Sequence, residues 1–192
     1  MKKISYVLLL SFALTLVACS KKDNEKREKT QTTQKQEKTL NIQNKKSDEI
    51  TLTTVNGDKI TLAKTDKGFK FSNANGKIVL VDFFATWCPP CKAEIPHLNN
   101  LQEEYKDKLE IIGVLIEPNK DNNELKDFIN SFTINYTITN SPANMDFATA
   151  VGGVESIPFM IMYDKNGNYV THYLGAIPQE MIDSDIQEAL KK

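Results

Sequence analysis

Trp87-Cys88-Pro89-Pro90-Cys91-Lys92 holds the residues of this 192-residue chain best suited to chemistry. Two thiols separated by two residues can close into a disulfide and reopen, and their context makes them a redox centre. The motif is entered from the apolar run Ile78-Val79-Leu80-Val81 and is followed by an amphipathic helical pattern. A cysteine where a strand gives way to a helix meets unpaired backbone N–H groups and the positive end of the helix dipole, and both favour the nucleophilic thiolate. Two other uses of the pair fit less well. A structural zinc ion needs about two more Cys or His ligands, and the chain offers only His97 and His172. A structural disulfide closing so small a loop would restrict the unfolded chain little. No metal site and no bound cofactor are therefore expected, the redox pair being the reactive group itself.

Pro89 and Pro90 bear on the direction of reaction. Neither carries a backbone N–H, so the Cys88 thiolate loses possible donors, and no His or Arg between the cysteines adds positive charge. A less stabilised thiolate means a more reducing couple, which favours disulfide reduction over oxidation.

The elements that must position the pair can be read outward from it. Ile50 to Val55, the turn Asn56-Gly57 and Lys59 to Leu62 alternate as strand, turn and strand, and Phe69 to Phe71 fit a short third strand before Asn75-Gly76. Ile78 to Phe84 is apolar apart from Asp82, as in a central strand covered on both faces. A helix runs from the cysteines to about Tyr105, with Ile95, Leu98, Leu101 and Tyr105 on its inner stripe. Glu110 to Ile116 is a buried strand and Asn123 to Phe132 a helix, with a short helix around Met145 to Val151. Phe159 to Tyr163 and Tyr169 to Leu174 form a hairpin about Asn166-Gly167, and Gln179 to Leu190 closes the chain as a helix. This order predicts an α/β domain with a mixed sheet and helices on both faces. From Glu49 to Lys192 there are 144 residues, enough for one domain with a sizeable core.

The preceding residues are of another kind. Lys2 and Lys3 lead into an apolar stretch from Ile4 to Val17, too short for the ~20 residues that cross a bilayer, and residues 1–18 are expected to be a signal peptide. Its end, Leu16-Val17-Ala18-Cys19, resembles a bacterial lipobox, which makes Cys19 the lipidation site and places the protein outside the cytoplasm, on a membrane. Residues 19–48, nearly free of large apolar side chains, are expected to be a disordered tether reaching on the order of 30 Å. Between Ser20 and Asp48 nine basic residues face five acidic ones, whereas from Glu49 onward thirteen face twenty. An acidic domain argues against nucleic-acid binding. A monomer is expected.

Val81-Asp82-Phe83-Phe84-Ala85-Thr86-Trp87-Cys88-Pro89-Pro90-Cys91-Lys92-Ala93-Glu94-Ile95-Pro96 resembles the active-site segment of thioredoxin-like proteins, and most closely the TlpA/ResA-type family of membrane-tethered thiol-disulfide oxidoreductases. Pro96, Gly153 to Pro158 and Gly175 match further along, so the resemblance covers roughly Ile50 to Lys192. It implies a thioredoxin-like fold, a central mixed sheet flanked by helices, with an extra N-terminal β-hairpin. It implies protein disulfides as substrates, apocytochrome c among them in cytochrome c maturation, and a membrane thiol-electron donor as partner. Cys88 is then the exposed nucleophile and Cys91 the resolving thiol, cycling through a Cys88–Cys91 disulfide. Asp82 matches the buried acid of thioredoxins, and Glu94 an acidic position associated with tuning the cysteines; negative charge from either raises cysteine pKa values and favours reduction. Pro158 resembles the cis-proline that faces the cysteines, exposing the Ile157 backbone to an extended substrate, and Trp87 contributes to docking. Lys92 and His97 read as ordinary helix residues. Two rival functions remain: a copper chaperone using Cys88, Cys91 and His172, and a peroxide reductase, for which the Thr-x-x-Cys arrangement is missing.

Overall fold

A computed structural model describes residues 49–191, so the signal segment, Cys19 and the tether fall outside the described residues. The three N-terminal strands β1 (Glu49–Thr53), β2 (Lys59–Thr65) and β3 (Gly68–Phe71) pair antiparallel in sequence order. Then follow β4 (Ile78–Phe84), α1 (Pro89–Glu104), β5 (Leu109–Leu115), α2 (Asn122–Ser131), β6 (Thr137–Thr139), α3 (Ala143–Ala150), β7 (Phe159–Tyr163), β8 (Tyr169–Leu174) and α4 (Gln179–Leu190). The five later strands make one sheet in the order β6-β5-β4-β7-β8, parallel on the β5 and β6 side and antiparallel on the β7 and β8 side. A parallel pair needs a crossover to return the chain to the same end, which α1 supplies between β4 and β5 and α2 between β5 and β6.

All seven residues of β4 are buried, and their alternation sorts the core. Ile78 and Leu80 pack with Leu98 and Leu101 of α1 and Ile182 and Ile186 of α4. Val79, Val81 and Phe83 face Phe147 of α3 and Leu52, Leu62, Phe69 and Phe71 of the N-terminal strands. The N-terminal sheet is thus a lid on one face of the central sheet. It is stitched there by Val55 N–H to the Ile138 carbonyl (2.9 Å), Asn140 N–H to the Thr53 carbonyl (2.9 Å) and Phe69 N–H to the Gly167 carbonyl (2.9 Å).

The sequence reading omitted β6. Thr137-Ile138-Thr139 is only three residues long and shows no alternation distinguishable from a loop; it forms because β5 offers an open edge in register with it. The last helices and the β7–β8 hairpin fall where the pattern places them.

Candidate redox site

β4 ends at Phe84, a turn closed by Cys88 N–H to the Ala85 carbonyl (3.1 Å) follows, and α1 begins at Pro89. Proline at the first two helical positions suits a helix start, because those N–H groups have no partner within the helix. Cys88 is the N-cap, and its Sγ accepts a hydrogen bond from the Cys91 N–H at 3.2 Å. The sequence argument that the prolines strip donors from Cys88 thus holds for residues 89 and 90 alone; Cys91 supplies one. Cys88 and Cys91 are joined, with S–S 2.07 Å and Cα–Cα 5.3 Å.

Cys88 is not the exposed thiol expected. It is 2% exposed and Cys91 4%, both packed with Val55, Phe84, Ala85, Leu115, Leu125 and Ile138. The cause is the neighbourhood: β6 and the residues after β1 close one side of the pair, and half-buried Ile157 packs against the same cluster. Trp87 stands out at 65% exposure, and Leu174, opposite Phe159 in the β7–β8 pairing, at 64%. The Ile157–Pro158 peptide is cis, and the Pro158 carbonyl accepts from Gly175 N–H at 2.9 Å, which ties this loop to the end of β8.

Two buried carboxyl groups lie on β4 and α1, the elements on either side of the cysteine loop. Asp82 points from β4 to the α1 side of the sheet, and Glu94 lies three residues beyond Cys91 on the buried face of the helix; each is 4% exposed. Glu94 Oε1 accepts from Ile177 N–H at 2.7 Å, whereas Glu94 Oε2 and Asp82 Oδ1 have no hydrogen-bond partner. Burial, then the neighbouring charge of Glu94, pushes Asp82 up to about 8. Burial raises Glu94 to about 7, against the opposing pull of the Ile177 bond. Near neutrality each acid can therefore take up or release a proton.

Three further residues shape the site and escaped the sequence reading. Gly113 is the β5 neighbour of Asp82, and a Cβ there would lie 2.5 Å from Ile138 Cδ1 and 3.2 Å from the Phe84 ring. Its missing side chain makes room beside the acid. Tyr136 fills part of that room, and burial, followed by the charges of Asp82 and Glu94, holds its phenol well above the usual range. Glu117, just past β5, accepts from Thr86 N–H (3.1 Å) and Thr86 Oγ1 (2.7 Å) through the same Oε2. Glu117 is legible in principle as the first charge after the buried run Ile111 to Leu115, at the sheet end that carries the cysteines.

The remaining candidates lie elsewhere or have other partners. His172 Nδ1 is 2.7 Å from Tyr169 Oη, and its ring stands edge-on to Phe159. Among the described residues there is no group of three or more His, Cys, Asp or Glu able to hold a metal ion. His97 and Lys92 are helix residues outside the acid pair.

A five-stranded mixed sheet, a disulfide at the N-terminus of the helix after its central strand, a cis-proline loop and a buried acid together define a thioredoxin-fold thiol-disulfide oxidoreductase. The chain belongs to the Redoxin family, whose model matches residues 44–190. It is 27% identical over 123 residues to the thiol-disulfide oxidoreductase ResA of Bacillus anthracis, spanning 64% of this chain and 69% of that one. It is 27% identical over 141 residues to the thioredoxin-like protein YneN of Bacillus subtilis, spanning 72% and 75%. Among solved structures, a thioredoxin-family thiol:disulfide interchange protein from Chlorobium tepidum superposes with a TM-score of 0.60 at 25% identity, covering 75% of this chain and 94% of that one. The TlpA/ResA-type relationship and the thioredoxin-like fold expected from the motif agree with these matches.

Proposed function

We propose that this thiol-disulfide oxidoreductase works outside the cytoplasm, held to a membrane by lipid on Cys19, and reduces disulfides in other proteins. The observation that carries the reducing direction is the pair of buried, mutually interacting carboxyls: Asp82 on β4, the strand before the cysteine loop, and Glu94 on α1, the helix that the disulfide opens. Once ionised, above about pH 7 for Glu94 and about pH 8 for Asp82, either carboxylate raises the energy of a nearby thiolate, and a couple whose reduced form is less stabilised is the better reductant.

In the cycle, the Cys88 thiolate of the reduced protein attacks one sulfur of a substrate disulfide and forms a mixed disulfide, expelling the other sulfur as a thiolate. Cys91 gives its proton to Asp82 or Glu94, directly or through water, and attacks Cys88 Sγ. The S–S bond to the substrate breaks, the substrate takes up protons and leaves as a dithiol, and the protein ends as the Cys88–Cys91 disulfide. Two electrons have passed to the substrate. A thiol donor must restore them, and a membrane thiol-electron carrier fits the proposed location. Because Cys88 is buried, the apolar rim of Trp87, Ile157 and Pro158 is where a substrate segment would lie during attack. Apocytochrome c, with two cysteines that must be reduced before haem attachment, is the substrate class that the ResA relationship favours.

Trapping tests the exchange step. Cys91→Ala should accumulate mixed disulfides through Cys88 that dithiothreitol releases, whereas Cys88→Ala should accumulate none. An empty trap in cells would sink the proposal. Lipidation is tested separately: Cys19→Ala should lose incorporation of labelled fatty acid and release the protein from membranes.

A further inference from the structure

We propose that Glu117 is a positioning residue for the cysteine loop: its carboxylate clamps Thr86 and so fixes where Trp87 and Cys88 stand when a substrate arrives. The proposal rests on the exchange cycle above.

Thr86 is two residues from Cys88, in the turn between β4 and α1. One carboxylate oxygen of Glu117 receives both its N–H, at 3.1 Å, and its hydroxyl, at 2.7 Å. A doubly accepting carboxylate fixes a residue's backbone and its χ1 together, and hydrogen bonds to an ionised acceptor are about twice as strong as neutral ones. The clamp itself is braced. Ile116 N–H donates to the Phe84 carbonyl at 3.0 Å, so the end of β4, two residues before Thr86, and the residue before Glu117 are already joined across the sheet end. Lys120 Nζ lies 3.5 Å from Glu117 Oε1 and 2.8 Å from Glu124 Oε2. The Lys120 carbonyl accepts from Asn140 Nδ2 at 2.8 Å, and Asn140 N–H reaches the Thr53 carbonyl of β1 at 2.9 Å. A continuous set of bonds therefore runs from the N-terminal sheet to the residue before Trp87. Burial works against ionisation of Glu117, but the Thr86 bonds and Lys120 outweigh it and hold the carboxyl below the usual glutamate range. The clamp is charged throughout the neutral range.

Its chemical use follows from the burial of Cys88. A nucleophile with almost no exposed surface depends on the loop beside it for a productive approach, and small misplacement of reacting atoms is costly in rate. The clamp leaves Trp87 projecting to solvent while the sulfur next to it stays packed.

The test measures kcat/KM for reduction of a protein disulfide such as insulin, together with hydrogen exchange at the Thr86 amide. Glu117→Ala removes both bonds to Thr86 and should lower kcat/KM about tenfold and abolish Thr86 amide protection. Glu117→Gln keeps an acceptor oxygen without the charge and should fall between wild type and Glu117→Ala, about threefold below wild type, with Thr86 amide protection weakened but retained. Thr86→Val removes only the hydroxyl and should cost about threefold, and combined with Glu117→Ala it should add nothing. If Glu117→Ala does not fold, Thr86→Val carries the test. Unchanged kinetics in Glu117→Ala and Thr86→Val would overturn the proposal, as would a Glu117→Gln variant as impaired as Glu117→Ala. A wild-type protein inert toward protein disulfides overturns the reductase reading instead, and the clamp is then judged by amide protection alone: lost in Glu117→Ala and kept in Glu117→Gln supports it, and any other pattern overturns it.

Discussion

Glu94 Oε1 accepts the backbone N–H of Ile177 at 2.7 Å, joining the helix that carries Cys91 to the loop that follows the last strand. The bond gives one residue two duties: one carboxylate oxygen ties two elements together, and the other, buried without a partner, faces the interior. The duties separate by substitution. Glu94→Gln keeps an oxygen for Ile177 and should retain near wild-type stability at pH 6. Glu94→Ala orphans a partly buried N–H and should be less stable than Glu94→Gln by about 2 kcal/mol in urea denaturation. Equal stability of the two variants would mean that the bond contributes nothing.

The same acids make stability depend on pH. Both carboxyls hold protons more tightly folded than unfolded: Asp82 at about 8 and Glu94 at about 7, against roughly 4 for either in an unfolded chain. Folding therefore takes up protons between those limits. Their contribution is fullest below about pH 4, falls as pH rises through 7 and 8, and is flat above, with a slope of up to about 1.4 kcal/mol per pH unit for each proton. Glu117 and Asp164, held low by their hydrogen bonds despite burial, act in the opposite sense and only in acid. Asp82→Asn should flatten the decline between about pH 4 and 8 in equilibrium unfolding. A decline as steep as in wild type would move the titration to another group.

The strength of the hydrophobic pattern decides what could be read in advance. Ile78 to Phe84 is buried on both faces and declares itself by continuous apolarity, so Asp82 is conspicuous from the sequence alone. The helix after Cys88 is legible from its Ile95, Leu98, Leu101 stripe. β6 is not, because an edge strand of three residues owes its existence to pairing with β5 rather than to its own pattern. The burial of Cys88 escaped for a related reason: the groups that cover it, Val55, Leu125 and Ile138, come from three distant parts of the chain. Gly113 and Tyr136 matter to Asp82 only through cross-strand register, which periodicity alone does not give.

Gly167 is a site where shape alone forbids a side chain. Its φ is +81°, and a Cβ would lie 2.3 Å from the Phe69 carbonyl oxygen and 2.9 Å from the carbonyl carbon, backbone atoms that cannot step aside. The bond from Phe69 N–H to the Gly167 carbonyl is part of what holds the N-terminal sheet against the β7–β8 turn. Gly167→Ala should lower stability by about 3 kcal/mol, combining left-handed strain with loss of that seam. Gly57, also at positive φ but with open space around it, should lose only about 1 kcal/mol on the same change. Similar losses at both sites, measured by urea denaturation, would show that the contact with Phe69 carries no weight.

Trp87 separates substrate recognition from the chemistry next to it. At 65% exposure its indole contributes little to the core, yet it adjoins the buried Cys88 and stands at the rim where a protein partner would meet the disulfide. A large aromatic surface left in water beside a reactive sulfur gains free energy only when something covers it, and at about 25 cal/mol per Å² even partial cover by a partner is worth about 1–2 kcal/mol. Trp87→Ala should therefore slow reduction of a protein disulfide by about tenfold, mainly through KM, while changing stability by less than about 0.5 kcal/mol. Reduction of its own disulfide by dithiothreitol, too small to need that surface, should change by less than about threefold. Equal slowing with the small thiol and the protein substrate would assign Trp87 to shaping the cysteine pair rather than to binding the partner. Unequal slowing locates the docking surface on the Trp87 side of the sulfur that reacts.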